Sequence, residues 1–294
     1  MIGQKKITAA KLLMYFAVAL FAAACIIPML LVLIVSFTDE SVIEQYGYQF
    51  FPQKLSLEAD RLIFTGGSSV LRALGMSVLV TLTGTFCAVL ITAGAAYTLA
   101  NKDVKYRNTL ALFFFIPTII SSGIVPWYLV CRQLHLQNNF FALIIPNLLF
   151  SPFNMFLVRN FMSSIPDALR ESAKLDGAND AVIAFRIYLP LCLPVIATIT
   201  LFYGLAYWND WWNAIMLVDN VDMYPLQYLL MKLQSQIQMI NDLGLNAGIV
   251  NQMSLPSESM KMATAVVTIG PIVLLYPFLQ KYFVSGLTIG SVKG

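Results

Sequence analysis

Charge is scarce in this sequence. Aspartate, glutamate, lysine and arginine make up 11% of its 294 residues, less than half the roughly 25% of an ordinary soluble domain. With 59% hydrophobic residues, such a chain cannot clothe a water-exposed globule, and it reads as an integral membrane protein. The net charge of +3 is small and dispersed, which excludes a nucleic-acid surface. His135 is the one histidine, and it falls in a short turn as an ordinary loop residue. The four cysteines, Cys25, Cys87, Cys131 and Cys192, lie in or beside apolar runs without a CxxC pair. They read as buried small hydrophobes, not a disulfide framework or metal site. No GxxxxGK[ST] loop is present, so the chain lacks the usual means of binding and hydrolysing ATP. HExxH and GxSxG are also missing. Nothing here reads as an enzyme.

What the sequence does have is long apolar runs. A bilayer core about 30 Å thick needs roughly 20 apolar helical residues. Six stretches qualify: Leu12 to Phe37, Val70 to Ala100, Thr109 to Val130, Phe140 to Met162, Leu191 to Tyr207 and Met262 to Phe283. None shows the short strict alternation of a β-barrel strand. The first run is longer than a signal-peptide core, so it is expected to be a retained helix. With the N-terminus in the cytoplasm, the inner segments hold twelve of the 18 lysines and arginines and five of the 15 acids. Positive-inside asymmetry therefore predicts an all-α protein of six transmembrane helices with both termini inside.

Two external segments are long, residues 38–69 and 208–261. The second opens with Trp208, Trp211 and Trp212, a cluster that suits interfacial anchoring or an aromatic platform. It is amide-rich further on, at Gln234, Gln236, Gln238 and Asn241. Amides offer donors and acceptors to sugar hydroxyls without a charge to desolvate. Charged residues are nearly absent from the spans, where a proton- or sodium-coupled carrier needs ionisable or broken-helix sites.

The connection from about Arg159 to Pro190 carries the most specific pattern. Pro166 suits a first helical turn, Asp167 complements the positive helix end, and Ala168 to Leu175 are mainly good helix formers. Gly177 is a natural stop, and a second helical run follows over Asp180 to Tyr188. A short amphipathic helix is thus predicted along the cytoplasmic face. An interfacial helix with snorkelling charges would share its composition, but not its punctuation.

Glu171-Ser172-Ala173, a glycine four residues later at Gly177, and Ile187-Tyr188-Leu189-Pro190 resemble the EAA loop of ABC importer permeases. Ser172 departs from that pattern, a small residue replacing alanine. The resemblance spans about Val70 to Phe283 and implies the type I ABC importer permease fold. The added first helix and the tail Gly286-Leu287-Thr288-Ile289-Gly290-Ser291-Val292-Lys293-Gly294 are similar to the carbohydrate branch, near the smaller maltose-type subunit. Alginate-type oligosaccharide is the narrowest substrate that this resemblance implies. It divides the chain into 1–69 (tail, first helix and external loop), 70–283 (transmembrane core, with coupling loop 163–190 and external loop 208–261) and the cytoplasmic tail 284–294.

The resemblance further implies a bacterial inner-membrane subunit that works by alternating access. Its partners would be a second, non-identical permease, an ATPase dimer holding ATP and Mg, and an external solute-binding protein; the chain itself would bind no cofactor. Arg170, Glu171, Ser172, Ala173, Lys174, Asp176 and Gly177 are the coupling positions, with Arg170 and Lys174 expected to touch the ATPase. For the sugar path, residue chemistry offers Asn147, Ser151, Asn154, Tyr203, Tyr207 and Asn209, although packing between helices would use the same residues. Arg132 and Arg159 are the nearest basic residues for an anionic uronate. A permease for another solute, and a carrier or channel working alone, remain the competing readings at this stage.

Overall fold

A computed structural model describes residues 9–59, 61, 69–242 and 258–289. The described residues are helical apart from turns and one isolated bridge between Thr38 and Leu55. The helices are α1 (Ala9–Ser36), α2 (Glu40–Tyr46), α3 (Ser69–Ala100), α4 (Arg107–Ile119), α5 (Ile124–Gln133), α6 (Pro152–Met162), α7 (Asp167–Leu175), α8 (Asp180–Leu191), α9 (Leu193–Trp208), α10 (Trp212–Leu217), α11 (Leu226–Asp242) and α12 (Glu258–Ile289). Among the described residues, α1 and α3 are each long and apolar enough to cross a membrane, and α8 with α9 make a third span if that pair, bent by 87°, counts as one.

The chain divides into two compact units, Met1–Leu71 with Lys232–Ile269 and Arg72–Met231 with Gly270–Gly294. In the first, the long apolar side chains of α1 are exposed from Leu12 to Leu30 and meet almost nothing of their own chain. Asp39 then caps α2, accepting from the Ser41 N–H at 3.1 Å and pairing with Lys54 at 2.6 Å. Those partners, Lys54 first, hold its carboxyl down at about 2. Glu40 reaches much further along the chain. Its two carboxylate oxygens accept from the backbone N–H groups of Glu258 and Ser259, each at 2.9 Å. A carboxylate there satisfies orphan donors and complements the positive end of α12. Tyr48 donates to Glu258 at 2.7 Å, completing the cap.

The second unit is organised by α3 and α9. Their close approach needs Gly84, since a Cβ there would lie 2.5–2.8 Å from ring atoms of Tyr207. One turn away along α9, the Tyr203 hydroxyl meets Thr92 Oγ1 at 2.6 Å. Around this seam a buried core gathers Leu99, Leu143, Met155, Val158, Ile183 and Ile199.

Two expected spans are not continuous helices. Thr109 to Val130 breaks after Ile119 and restarts at Ile124, with Gly123 at φ +77° turning the chain. Phe140 to Met162 has one short 3₁₀ turn, Phe140–Leu143, then irregular backbone before α6. Pro146 and Pro152 bracket that break, and each lacks the N–H a continuous helix would need. Side chains supply the missing partners. Tyr207 donates to the Ile144 carbonyl at 2.9 Å, Asn213 to the Pro146 carbonyl at 3.0 Å, and the Ser151 N–H donates to Tyr203 at 2.9 Å.

Other expectations shift as well. Cys131 and Cys192 are buried, whereas Cys25 and Cys87 are exposed, α1 and that face of α3 being uncovered by the described residues. Segment 208–261, expected to be an external loop, is largely helical through α10 and α11, and residues 243–257 lie outside the described residues. Trp208 is buried, so it is a packing residue and not part of an exposed platform, while Trp211 and Trp212 stack edge to face at 5.7 Å. The expected tail 284–294 begins as helix, α12 continuing to Ile289; residues 290–294 lie outside the described residues, as do residues 1–8 with Lys5 and Lys6.

Candidate functional site

The most specific sequence pattern folds into a compact helical element. Pro166 opens α7, and Asp167 in its first turn ion-pairs with Lys102, which lowers the Asp167 carboxyl from its ordinary value. The helix ends in a glycine stop. Gly177 adopts φ +84°, its N–H donates to the Lys174 carbonyl at 3.0 Å, and Ala178 N–H donates to the Ala173 carbonyl at 2.9 Å. A left-handed residue that returns two N–H groups to the last turn is how helices commonly satisfy their final carbonyls. Asn179 at once starts the next helix by accepting from the Val182 N–H at 2.9 Å. Tyr97 of α3 donates to Asp180 at 3.2 Å, fixing that start to the membrane helix.

Arg170 is the centre of this element. Its side chain is 6% exposed. One guanidinium nitrogen donates to Asn101 Oδ1 and to Asp103 Oδ2, both at 2.5 Å, and the other approaches Asp103 Oδ1 at 3.3 Å. Lys174, one turn on, reaches the same carboxylate at 3.0 Å. Arg170 was expected to contact a partner; it is turned inward and binds α7 to the end of α3. Burial explains the change, because a cation taken out of water must keep a charged, hydrogen-bonded partner. The Asp103 hydrogen bond raises the Arg170 value in turn.

The other predicted positions divide by face. Ala173 is buried and faces inward with Arg170. Glu171, Ser172 and Asp176 are exposed, and no side-chain partner for Glu171 is found among the described residues. Lys174 is half-exposed while paired. The outer surface of α7 therefore offers a carboxylate and small polar groups, while its inner surface is fastened.

Of the substrate-path candidates, Ser151, Asn154 and Tyr203 come together in packing contacts, and none of the six lines the larger cavity. Ser151 caps α6 by accepting from the Asn154 N–H at 3.4 Å, and Asn154 is buried. Tyr203 and Tyr207 are buried with their hydroxyls engaged in the seam described above. Asn209 returns its amide to the Leu205 carbonyl at 2.8 Å. Asn147, at φ +62°, stays exposed in the irregular segment. A cavity of about 550 Å³ lies between α3, α9 and Pro271-Ile272 of α12, but none of the six candidates lines it. Thr81, Thr85 and Thr200 give its walls their hydroxyls; most of the rest is apolar, so it lacks the dense hydrogen-bonding a sugar requires. Asn101 and Asp103, the anchors of α7, were not singled out from sequence. Their signal was the abrupt polar run Asn101-Lys102-Asp103 directly after a long apolar helix.

No family model matches the chain. It is 37% identical over 273 residues to Protein LplC of Bacillus subtilis, covering 92% of this chain and 90% of LplC. It is 36% identical over 287 residues to the polygalacturonan/rhamnogalacturonan transport system permease protein YtcP of the same organism, covering 96% and 98%. Among solved structures, a chain of a bacterial ABC transporter involved in the import of the acidic polysaccharide alginate superposes with a TM-score of 0.82 at 25% identity, over 96% of this chain and 99% of that one.

The tether yields a test. A carboxyl held at about 2 by Arg170 and then Lys174 contributes stability that is complete above its unfolded value near 3.8 and is lost as pH falls through about 2. The contact is therefore intact at any working pH, and only substitution opens it. Asp103→Asn should raise hydrogen exchange of the α7 amides severalfold, and Asp103→Glu should restore much of the protection. Unchanged exchange in Asp103→Asn would mean that Asp103 does not hold the helix.

Proposed function

The chain belongs to the permease subunits of carbohydrate ABC importers, and from that membership we propose that it forms one half of an oligosaccharide pathway driven by a separate ATPase through α7. The narrower substrate is an acidic oligosaccharide of the alginate type, a reading supported by relatives named for polygalacturonan/rhamnogalacturonan and for alginate. The other half is a second, non-identical permease. Two ATPase copies supply ATP, Mg and hydrolysis, this chain binding no cofactor, and an external solute-binding protein delivers the sugar. The working parts are the segments 1–69, 70–283 and 284–294.

One observation carries the mechanism: α7 is fastened on its inner face and bare on its outer face. A docked ATPase would meet Glu171, Ser172 and Asp176, with Lys174 at the edge. Displacement of α7 then passes through Arg170 to Asn101 and Asp103, and so to the end of α3. Because Tyr97 also holds Asp180, the same movement reaches α8 and α9. A helix suits this role because its backbone hydrogen bonds are satisfied internally and it moves as a body.

Gly177 is the sensitive joint. No atom lies within 4 Å of where its Cβ would sit, so a substitution acts through backbone strain alone. A β-branched residue at φ +84° carries about 1–3 kcal/mol of strain. Gly177→Val should insert normally yet lose most sugar-stimulated ATP hydrolysis, whereas Gly177→Asn, which tolerates the left-handed region, should keep much of it. Full coupling in Gly177→Val would remove α7 from the drive path.

The chain is an integral membrane protein, and its six-span arrangement with both termini cytoplasmic belongs to the same proposal. Lys174 and Ser235 are both exposed. With the four native cysteines replaced, single cysteines at these two sites should label from opposite sides of sealed vesicles; same-side labelling would overturn the arrangement.

The external end of α11 is the sugar-facing element in this reading. Gln234, Gln236 and Gln238 are exposed on the helix, free to meet the solute-binding protein or its sugar. Replacing all three with alanine should leave ATPase assembly intact and reduce binding-protein-stimulated hydrolysis severalfold. Parent-level stimulation would assign α11 a covering role only.

A further inference from the structure

A second charged feature lies behind α7. Lys102, Arg107, Arg159 and Arg170 line one cavity of about 230 Å³, together with Asp167 and Ser163. Two of these four cations are already matched, Lys102 by Asp167 and Arg170 by Asp103. Arg107 and Arg159 have no carboxylate partner among the described residues; Arg159 only stands over the Phe156 ring at 5.9 Å. The cavity walls are thus more cationic than the fold itself requires.

Three further details point to an anion. Arg107 is the first residue of α4, where the helix dipole disfavours a cation and favours a negative charge. No side chain caps that helix, and its first turn contains no acid. Arg170 is 95% buried, lines this cavity and leaves its Nε hydrogen without a partner. An anion in the cavity would supply acceptors to Nε and to the guanidinium forks of Arg107 and Arg159.

We infer that this cavity binds a phosphate group, carried by an anionic phospholipid of the adjoining leaflet. Two arginine forks beside the buried, unpartnered Nε of Arg170 match a tetrahedral oxyanion in charge and donor chemistry. The volume is several times the roughly 30 Å³ of a water molecule, enough for the group with some of its hydration. Tyr97, Leu99, Met162 and Ile165 are among the remaining wall residues and give the lipid's glycerol region an apolar neighbour. Anionic headgroups concentrate at the cytoplasmic face, and basic pockets at helix ends receive them. The inference rests on placing α7 at that face, but it does not depend on coupling: lipid capture and drive can fail separately.

The test uses the complete importer, with its permease, ATPase and binding-protein partners, purified in detergent. Phosphatidylglycerol, phosphatidylcholine and inorganic phosphate are added at equal phosphorus, and thermal unfolding is followed. Phosphatidylglycerol should raise Tm by about 3 °C or more, with little effect from the other two. The double variant Arg107→Gln/Arg159→Gln should lose most of that shift. Lys105→Gln, outside the cavity, should keep it. If the double variant assembles poorly, Arg107→Lys/Arg159→Lys retains the charge without the forks and should show a reduced shift. An equal shift with inorganic phosphate would uphold the site while assigning it to free phosphate. An undiminished phosphatidylglycerol shift in the double variant overturns the proposal. So does loss of ATPase co-purification with the lipid shift unchanged, which would give the two arginines to a protein carboxylate.

Discussion

Every backbone N–H and C=O inside a bilayer needs a partner from the protein, because the lipid offers none. That constraint governs the second unit. Its chain leaves helical geometry between Leu143 and Ser151, and the exposed backbone groups are met by side chains from α9 and α10. Tyr203 and Tyr207 do this from consecutive turns of α9, one receiving a hydrogen bond and the other giving one. Gly84 lets α3 approach closely enough to close the seam over them. The break is therefore a built feature, its backbone groups at Ile144, Pro146 and Ser151 partnered by side chains of α9 and α10.

The anchoring of α7 follows the same logic of partnered polar groups. A guanidinium is an expensive group to bury, and Arg170 is tolerable only because Asn101 and Asp103 stand against it. Once made, that contact is selective about direction. It leaves the outer face of α7 available while tying the inner face to the end of α3. Lys174 and Asp167 add lateral ties at each end of the helix.

Much of this was legible in the sequence. The helix at Asp167 to Leu175, its stop at Gly177 and the run from Asp180 follow from proline, acid and glycine placement, signals local to a few residues. Long uninterrupted apolar runs likewise became α1, α3 and α9. The two broken spans were not legible, because hydropathy averages over a window and is blind to where a helix stops within it. Arg170 was misread for a related reason: a charge on a short amphipathic helix looks the same whether it faces water or a buried carboxylate. Tyr203 and Ser151 read in sequence as candidates for a sugar path; in the fold the Ser151 N–H donates to the Tyr203 hydroxyl. That pairing depends on contacts 52 residues apart, beyond any local pattern.

The cap that Glu40 places on α12 joins residues 218 positions apart. A ribosome adding about 5–20 residues per second makes the capping carboxylate roughly 10–45 seconds before the helix it serves. During that interval Glu40 and Tyr48 have no Glu258 to hold, and the two stretches of the first unit are unjoined. A nascent chain that stalls or is cleaved before α12 keeps those groups open indefinitely. The contact thus forms only after α12 has been made, and it closes the first unit by joining its two separate stretches of chain.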